Sequence, residues 1–151
     1  MLAYTLLASV LASTVLAQKS IGTGSGTVVV TSTGLTGGSG CLTATGTVTT
    51  DTTACGTFTA TSAGSGTFDG ATLNAGSGAC GFNMTDRATP LVCAEKTDKQ
   101  LGFYSFLDKL ATLEMQINWF LDETPEDSTT KTLFWQGVHP DTATLTWKPS
   151  A

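Results

Sequence analysis

The sequence predicts an all-β domain, a small disulfide-stapled sandwich or barrel of short antiparallel strands. Three observations carry that expectation: a Gly-, Thr- and Ser-rich first half interspersed with Val, Phe and Leu, two segments in which apolar and polar residues alternate, and four cysteines. β-Branched residues suit a pleated surface and glycine supplies tight turns. A period of two puts alternate side chains on one buried face.

The N-terminal segment stands apart. Residues 2–17 contain no charged side chain and close on Val15-Leu16-Ala17, a small-residue pattern suited to signal peptidase. The stretch is short for a membrane span, which needs about 20 apolar residues, and Ser9, Ser13 and Thr14 interrupt it. It reads as a secretory signal, residues 1–17, cleaved before Gln18. Residues 18–25 read as a flexible start. Gly22-Thr23-Gly24-Ser25-Gly26 is not a phosphate cradle, because no strand precedes it and no lysine follows. Residues 26–151 then form one β-rich domain, of a size that gains from cross-links.

Within that domain, strands are expected over residues 26–31, 43–49, 56–62, 67–73 and 91–94, each short and bounded by turn-forming residues. Residues 104–110 permit a short helix. Alternation then places Leu113, Met115, Ile117 and Trp119 on one face of a strand, and Ala143, Leu145 and Trp147 on one face of another. Between these two, Asp122-Glu123-Thr124-Pro125-Glu126-Asp127 reads as a solvated loop, since proline breaks a ladder and four carboxylates resist burial. The cluster also lacks the alternating ligands and central glycine of a calcium loop.

Cys41, Cys55, Cys80 and Cys93 form an even set in a chain read as exported, which implies two disulfides and permits three connectivities. A zinc site does not fit: the gaps are long, no Cys-x-x-Cys occurs, and the chain has one histidine. The midpoint between Cys80 and Cys93 falls at Asp86-Arg87, so an antiparallel hairpin turning there would join those two sulfurs. The 41–55 pair is proposed partly by elimination. Its midpoint, Val48, lies inside an expected strand, so hairpin symmetry does not explain it.

The net charge of −5 argues against a nucleic-acid partner, because phosphates repel an acidic chain. No basic amphipathic helix is present to hold an anionic membrane. His139 is followed by Pro140-Asp141 and reads as a turn, with no spacing that selects a nucleophile for a catalytic triad. Asp51 and Asp69 have turn roles as well. In Thr132-Leu133-Phe134-Trp135-Gln136 both faces of a strand carry an aromatic, so Phe134 or Trp135 is the candidate sugar-binding residue. Asn83-Met84-Thr85 is an N-glycosylation sequon, meaningful in a secreted chain.

Gly40-Cys41-Leu42, Gly46-Thr47-Val48-Thr49-Thr50 and Ala54-Cys55-Gly56-Thr57-Phe58 resemble the C-terminal accessory domain of fungal ribonucleases of the T-two family. The resemblance continues through Ala79-Cys80-Gly81-Phe82 and Leu91-Val92-Cys93, matches all four cysteines, and extends more loosely to Trp147. Gly78-Ala79-Cys80-Gly81 is also similar to a segment of the double-psi β-barrels of expansin-like proteins, whose downstream acidic motifs are not found after Cys93. That nuclease family works with separate histidines as general acid and base. Here His139 stands alone and neither histidine motif occurs, so the resemblance implies an accessory module without the nuclease.

The expected function is therefore that of a secreted, extracellular, non-catalytic β-domain without cofactor or metal, binding cell-wall polysaccharide or acting at the cell surface. The alternatives are a small secreted carbohydrate-active or hydrolytic enzyme, and an effector that binds a host protein.

Overall fold

A computed structural model describes residues 21–62, 70–84, 89–112, 118–122, 130–135 and 141–151. Its spine is the antiparallel pair of β1 (Gly24–Ser32) and β14 (Asp141–Pro149), in register from Gly26 opposite Pro149 to Ser32 opposite Ala143. Alternation decides which side of this pair is buried. Val28, Val30, Ala143 and Leu145 point inward and are buried, while Thr27, Val29, Thr31, Thr144 and Thr146 take the outer face.

The other strands are β2 (Ser39–Leu42), β3 (Val48–Thr49), β4 (Phe58–Ser62), β5 (Ala71–Ala75), β6 (Gly78–Phe82), β7 (Leu91–Ala94) and β8 (Lys99–Gln100). They are followed by β9 (Phe103–Phe106), β10 (Lys109–Thr112), β11 (Trp119–Leu121), β12 (Thr130–Lys131) and β13 (Leu133–Phe134). All the pairings are antiparallel, and the main path runs β10-β9-β5-β4-β1-β14-β11-β13. β14 occupies one edge of β1 along its length, so β4 and β2 must share the other edge, at Gly24–Gly26 and Val29–Thr31 respectively. The sheet forks there: β2 leads on to β3 and β12, while β5 passes to β6, β7 and β8. The whole curls into a half-barrel with the core inside.

A chain of rings runs through that core. Trp135 stacks on Phe82 at 5.2 Å, Phe82 meets Trp119 at 6.0 Å, and Trp119 stacks on Phe103 at 6.3 Å between centroids. Phe82, Phe103 and Trp119 are buried, and rings of this size carry much of the apolar area of a small domain.

Several expectations are corrected by this arrangement. The strand expected over residues 43–49 is confined to Val48–Thr49, because residues 43–47 form a turn. Thr43 donates its N–H to the Thr47 carbonyl at 2.8 Å, Gly46 donates to the Thr43 carbonyl at 3.0 Å, and the Thr43 and Thr47 hydroxyls bond each other at 2.8 Å. Gly46 sits at φ +93, a region L-residues avoid, with Val92 Cα and Cys93 N each 3.0 Å from where a Cβ would stand. Threonine's β preference yields here to a turn that packs on β7.

The short helix permitted over residues 104–110 is instead the β9–β10 hairpin, with Phe106 opposite Lys109 and only Leu107-Asp108 between them. Both have positive φ, 49° and 61°, the type I′ geometry whose twist matches that of paired strands. β1 begins at Gly24, inside the segment read as a flexible start, because Gly24 and Ser25 pair with Ala60 and Thr59. β5 starts at Ala71 rather than at residue 67, with residues 67–69 outside the described residues. Leu113, Met115 and Ile117 also lie outside them. Trp119, expected at a strand's end, begins β11 and is fully buried. The 91–94 strand is found with the expected bounds.

Candidate functional site

Both disulfides join the pairs proposed from the sequence. Cys80 and Cys93 are opposite one another in the β6–β7 ladder, whose register continues from Ala79 opposite Ala94 to Phe82 opposite Leu91. The Cys93 N–H donates to the Thr45 carbonyl at 2.9 Å, and the Cys80 carbonyl accepts from Leu101 at 3.2 Å, so this pair also receives two neighbouring segments. Cys41 on β2 is joined to Cys55, just beyond the 3-10 turn Thr52–Ala54. Asp51 caps that turn: its Oδ1 accepts from the Thr53 N–H at 2.9 Å and from the Thr53 hydroxyl at 2.7 Å. These bonds, the hydroxyl's first, hold the exposed Asp51 carboxyl below its ordinary pKa.

Other predicted residues fall as follows. Asn83 is half-buried at the exit of β6, its N–H donating to the Pro90 carbonyl at 3.4 Å, and the neighbouring Met84 is 69 % exposed. Thr85, Asp69 and His139 lie outside the described residues, as do residues 123–127 of the acidic cluster. Among the described residues no three His, Cys, Asp or Glu side chains gather as a metal would require.

The two candidate aromatics part company. Leu133 points into the core and is buried, so alternation turns Phe134 outward and Trp135 back inward. Trp135 stacks on Phe82, donates its backbone N–H to the Thr89 carbonyl at 3.0 Å, and has the Lys99 ammonium 5.8 Å from its ring centroid. Its Nε1 is buried without a hydrogen-bond partner among the described residues. Trp135 is thus a packing residue of the core's margin.

Phe134 belongs to the outer face, and register shows its neighbours. It lies opposite Phe120 on β11, and Phe120 lies opposite Thr142 on β14. On the same face Thr144 is opposite Thr31, which is opposite Ser39 on β2, and Thr146 is opposite Val29. Ser39, Thr31 and Thr142 are exposed, and Phe120, Phe134, Val29, Thr144 and Thr146 are half-buried. None of these side chains ionises. Partners across a strand pair stand about 5 Å apart and alternate residues along a strand roughly 7 Å apart, so the face repeats hydroxyls and methyls on a regular spacing beside two phenyl rings. The sequence singles out Phe134 as a candidate but not its neighbour Phe120, because residues 113–119 draw the alternation to Trp119 and leave Phe120 outside it.

The family model described as RNase T2-like C-terminal domain matches residues 20–148, most of the chain. The chain belongs to this family. The match takes in both disulfides, the half-barrel and the whole of the outer face, so the RNase T2-like C-terminal domain of this chain is the unit that carries the candidate site. No curated protein and no solved structure matches the chain.

Proposed function

We propose that this RNase T2-like domain is a secreted, non-catalytic module that attaches to uncharged cell-wall polysaccharide through the outer face of its sheet. The observation that carries the reading is the Phe120–Phe134 pair in register with Thr142, beside the Ser39–Thr31–Thr144 row. A phenyl ring offers an apolar face to the C–H surface of a sugar, and hydroxyls bond its O–H groups without the desolvation cost of a charge. A broad face of this kind suits a long polymer better than a small ligand, which prefers a concave pocket. Two disulfides accord with the oxidising compartments through which secreted proteins pass, and no helix among the described residues is long and apolar enough to cross a membrane. On the same reading Asn83 carries an N-glycan, seen as a mass loss on enzymatic deglycosylation that Asn83→Gln abolishes.

Retention on insoluble chitin, glucan and cellulose tests the proposal. The chain is expected to sediment with at least one of them, and a Phe120→Ser/Phe134→Ser variant to stay in the supernatant. No retention on any of the three overturns the polysaccharide reading. Turnover of a polysaccharide that His139→Ala abolishes overturns the non-catalytic part instead.

A further inference from the structure

Among the described residues the half-barrel does not close. β10 has β9 as its strand partner, and from Thr144 onward β14 has β1 as its strand partner among the described residues. These two ends of the curl come within 8 Å between Cα atoms without forming a ladder. At this seam lies an open groove of about 400 Å³, lined by Ser105, Asp108 and Lys109 from the β9–β10 hairpin and by Trp147 and Lys148 from β14, with Ile21, Leu110 and Pro149 among its apolar walls. That volume falls within the roughly 300–1,000 Å³ of small-molecule sites.

Trp147 belongs to the core-facing row of β14 but is only half-buried, because it stands near the strand's end where the curl opens. Its six-membered ring lies against the Gly26 backbone: a Cβ on Gly26 would come 2.6 Å from Cζ2 and 2.7 Å from Cη2. The glycine therefore lets the indole settle against β1 while it still lines the groove. The charges here run against the character of the chain. The protein is acidic with seven basic residues, and two of these, Lys109 and Lys148, meet at one groove. Lys109 is half-buried, and neither ammonium has a hydrogen-bond or ion-pair partner among the described residues. The one carboxylate among the described lining residues, Asp108, sits in the hairpin turn next to Lys109.

We infer that the seam groove is a binding site for an acidic sugar, a uronate unit, distinct from the uncharged outer face. An indole takes the C–H face of a pyranose, two ammonium groups take the carboxylate, and Ser105 and Asp108 accept the ring hydroxyls. A neutral sugar leaves both ammonium groups unanswered. A bare inorganic anion leaves the indole and the apolar walls unused. The groove shares Thr146 with the outer face and no residue of the Phe120–Phe134 pair, so Phe120→Ser/Phe134→Ser separates the two sites.

Isothermal titration of the oxidised full chain with trigalacturonate, a neutral trisaccharide and inorganic phosphate tests the assignment. Trigalacturonate is expected to bind, with an affinity that falls as salt is added. Both the Lys109→Gln/Lys148→Gln variant and Trp147→Ala are expected to weaken it by about tenfold or more, while Phe120→Ser/Phe134→Ser leaves it unchanged. The lysine variant alters solvent-facing groups and keeps the test alive should Trp147→Ala unfold, which circular dichroism reveals. Absence of binding at about millimolar trigalacturonate overturns the inference, as does equal affinity for the neutral trisaccharide. Phosphate binding as tight as that of trigalacturonate, unaffected by Trp147→Ala in a folded protein, also overturns it by showing an anion site without a sugar.

Discussion

The two disulfides close loops of nearly equal length, 13 and 14 residues apart in sequence, in regions that could hardly differ more. Cys80–Cys93 joins residues that a regular hairpin already sets opposite each other, and both sulfurs are buried in the core. Cys41–Cys55 closes a stretch made mostly of turns, in which the end of β2 meets only the two-residue β3, and Cys55 is half-exposed. In the first region the ladder and the bridge repeat the same instruction. In the second the bridge, the Asp51 cap and the Thr43–Thr47 turn hold the backbone where little ladder exists. The contrast separates two things a disulfide does: restricting the unfolded chain, which depends on loop length, and filling native space, which depends on burial.

The largest effect expected from breaking this comparison is in the buried bridge. Chain entropy assigns each bridge about 3 kcal/mol, and Cys80→Ala/Cys93→Ala should lose a further ~1–2 kcal/mol because it also empties core volume. Urea unfolding should therefore show the Cys80→Ala/Cys93→Ala variant as the less stable of the two double variants. Equal losses would mean that burial adds nothing here.

The two regions meet at Gly46, whose turn lies on β7 beside Cys93. Gly46→Ala forces an L-residue into positive φ and presses a methyl on the β7 backbone, and should cost about 1–3 kcal/mol. The distinguishing signature is faster amide exchange at Cys93, whose N–H is bonded to Thr45. Unchanged exchange there would separate the turn from the hairpin.

The smallest expected effect is that of Asp51. Its pKa is lowered in the folded chain, so its contribution is present above the unfolded carboxylate value of about 3.9 and is lost as pH falls through the lower folded value. Asp51→Asn should therefore flatten the acid limb of the stability profile measured by urea unfolding between pH 2 and pH 6. A wild-type profile no steeper than the variant's would remove the cap from the account.

What could be read in advance follows the same division. The β6–β7 bridge was legible because a hairpin is symmetric about its turn and the two cysteines are equidistant from Asp86-Arg87. β14 was legible from alternation, and β1 from a short β-branched run bounded by turn-forming residues. The β9–β10 hairpin was hidden because Leu107-Asp108 carries none of the Asn or Gly that normally announce a type I′ turn. β2 was hidden because Ser39-Gly40-Cys41-Leu42 is too short to show a period. Of the candidate face, Phe134 was named but could not be separated from Trp135: two aromatics in a row require that one turn outward, and neighbouring residues do not say which.

By itself the sequence determined the all-β class, the family, and the inward row of β14, and pointed to Cys80 with Cys93 among three connectivities, because each depends on residues close together in the chain or on a pattern of types. Only the tertiary structure decided that Phe120 joins Phe134 outside, that Trp135 turns in to Phe82, and that Trp147, one of the inward row, ends at an open seam beside Lys109. Those outcomes depend on which strand edges meet across the curl. Edge pairing is a contest among backbone groups far apart in the chain, and no local pattern encodes its result.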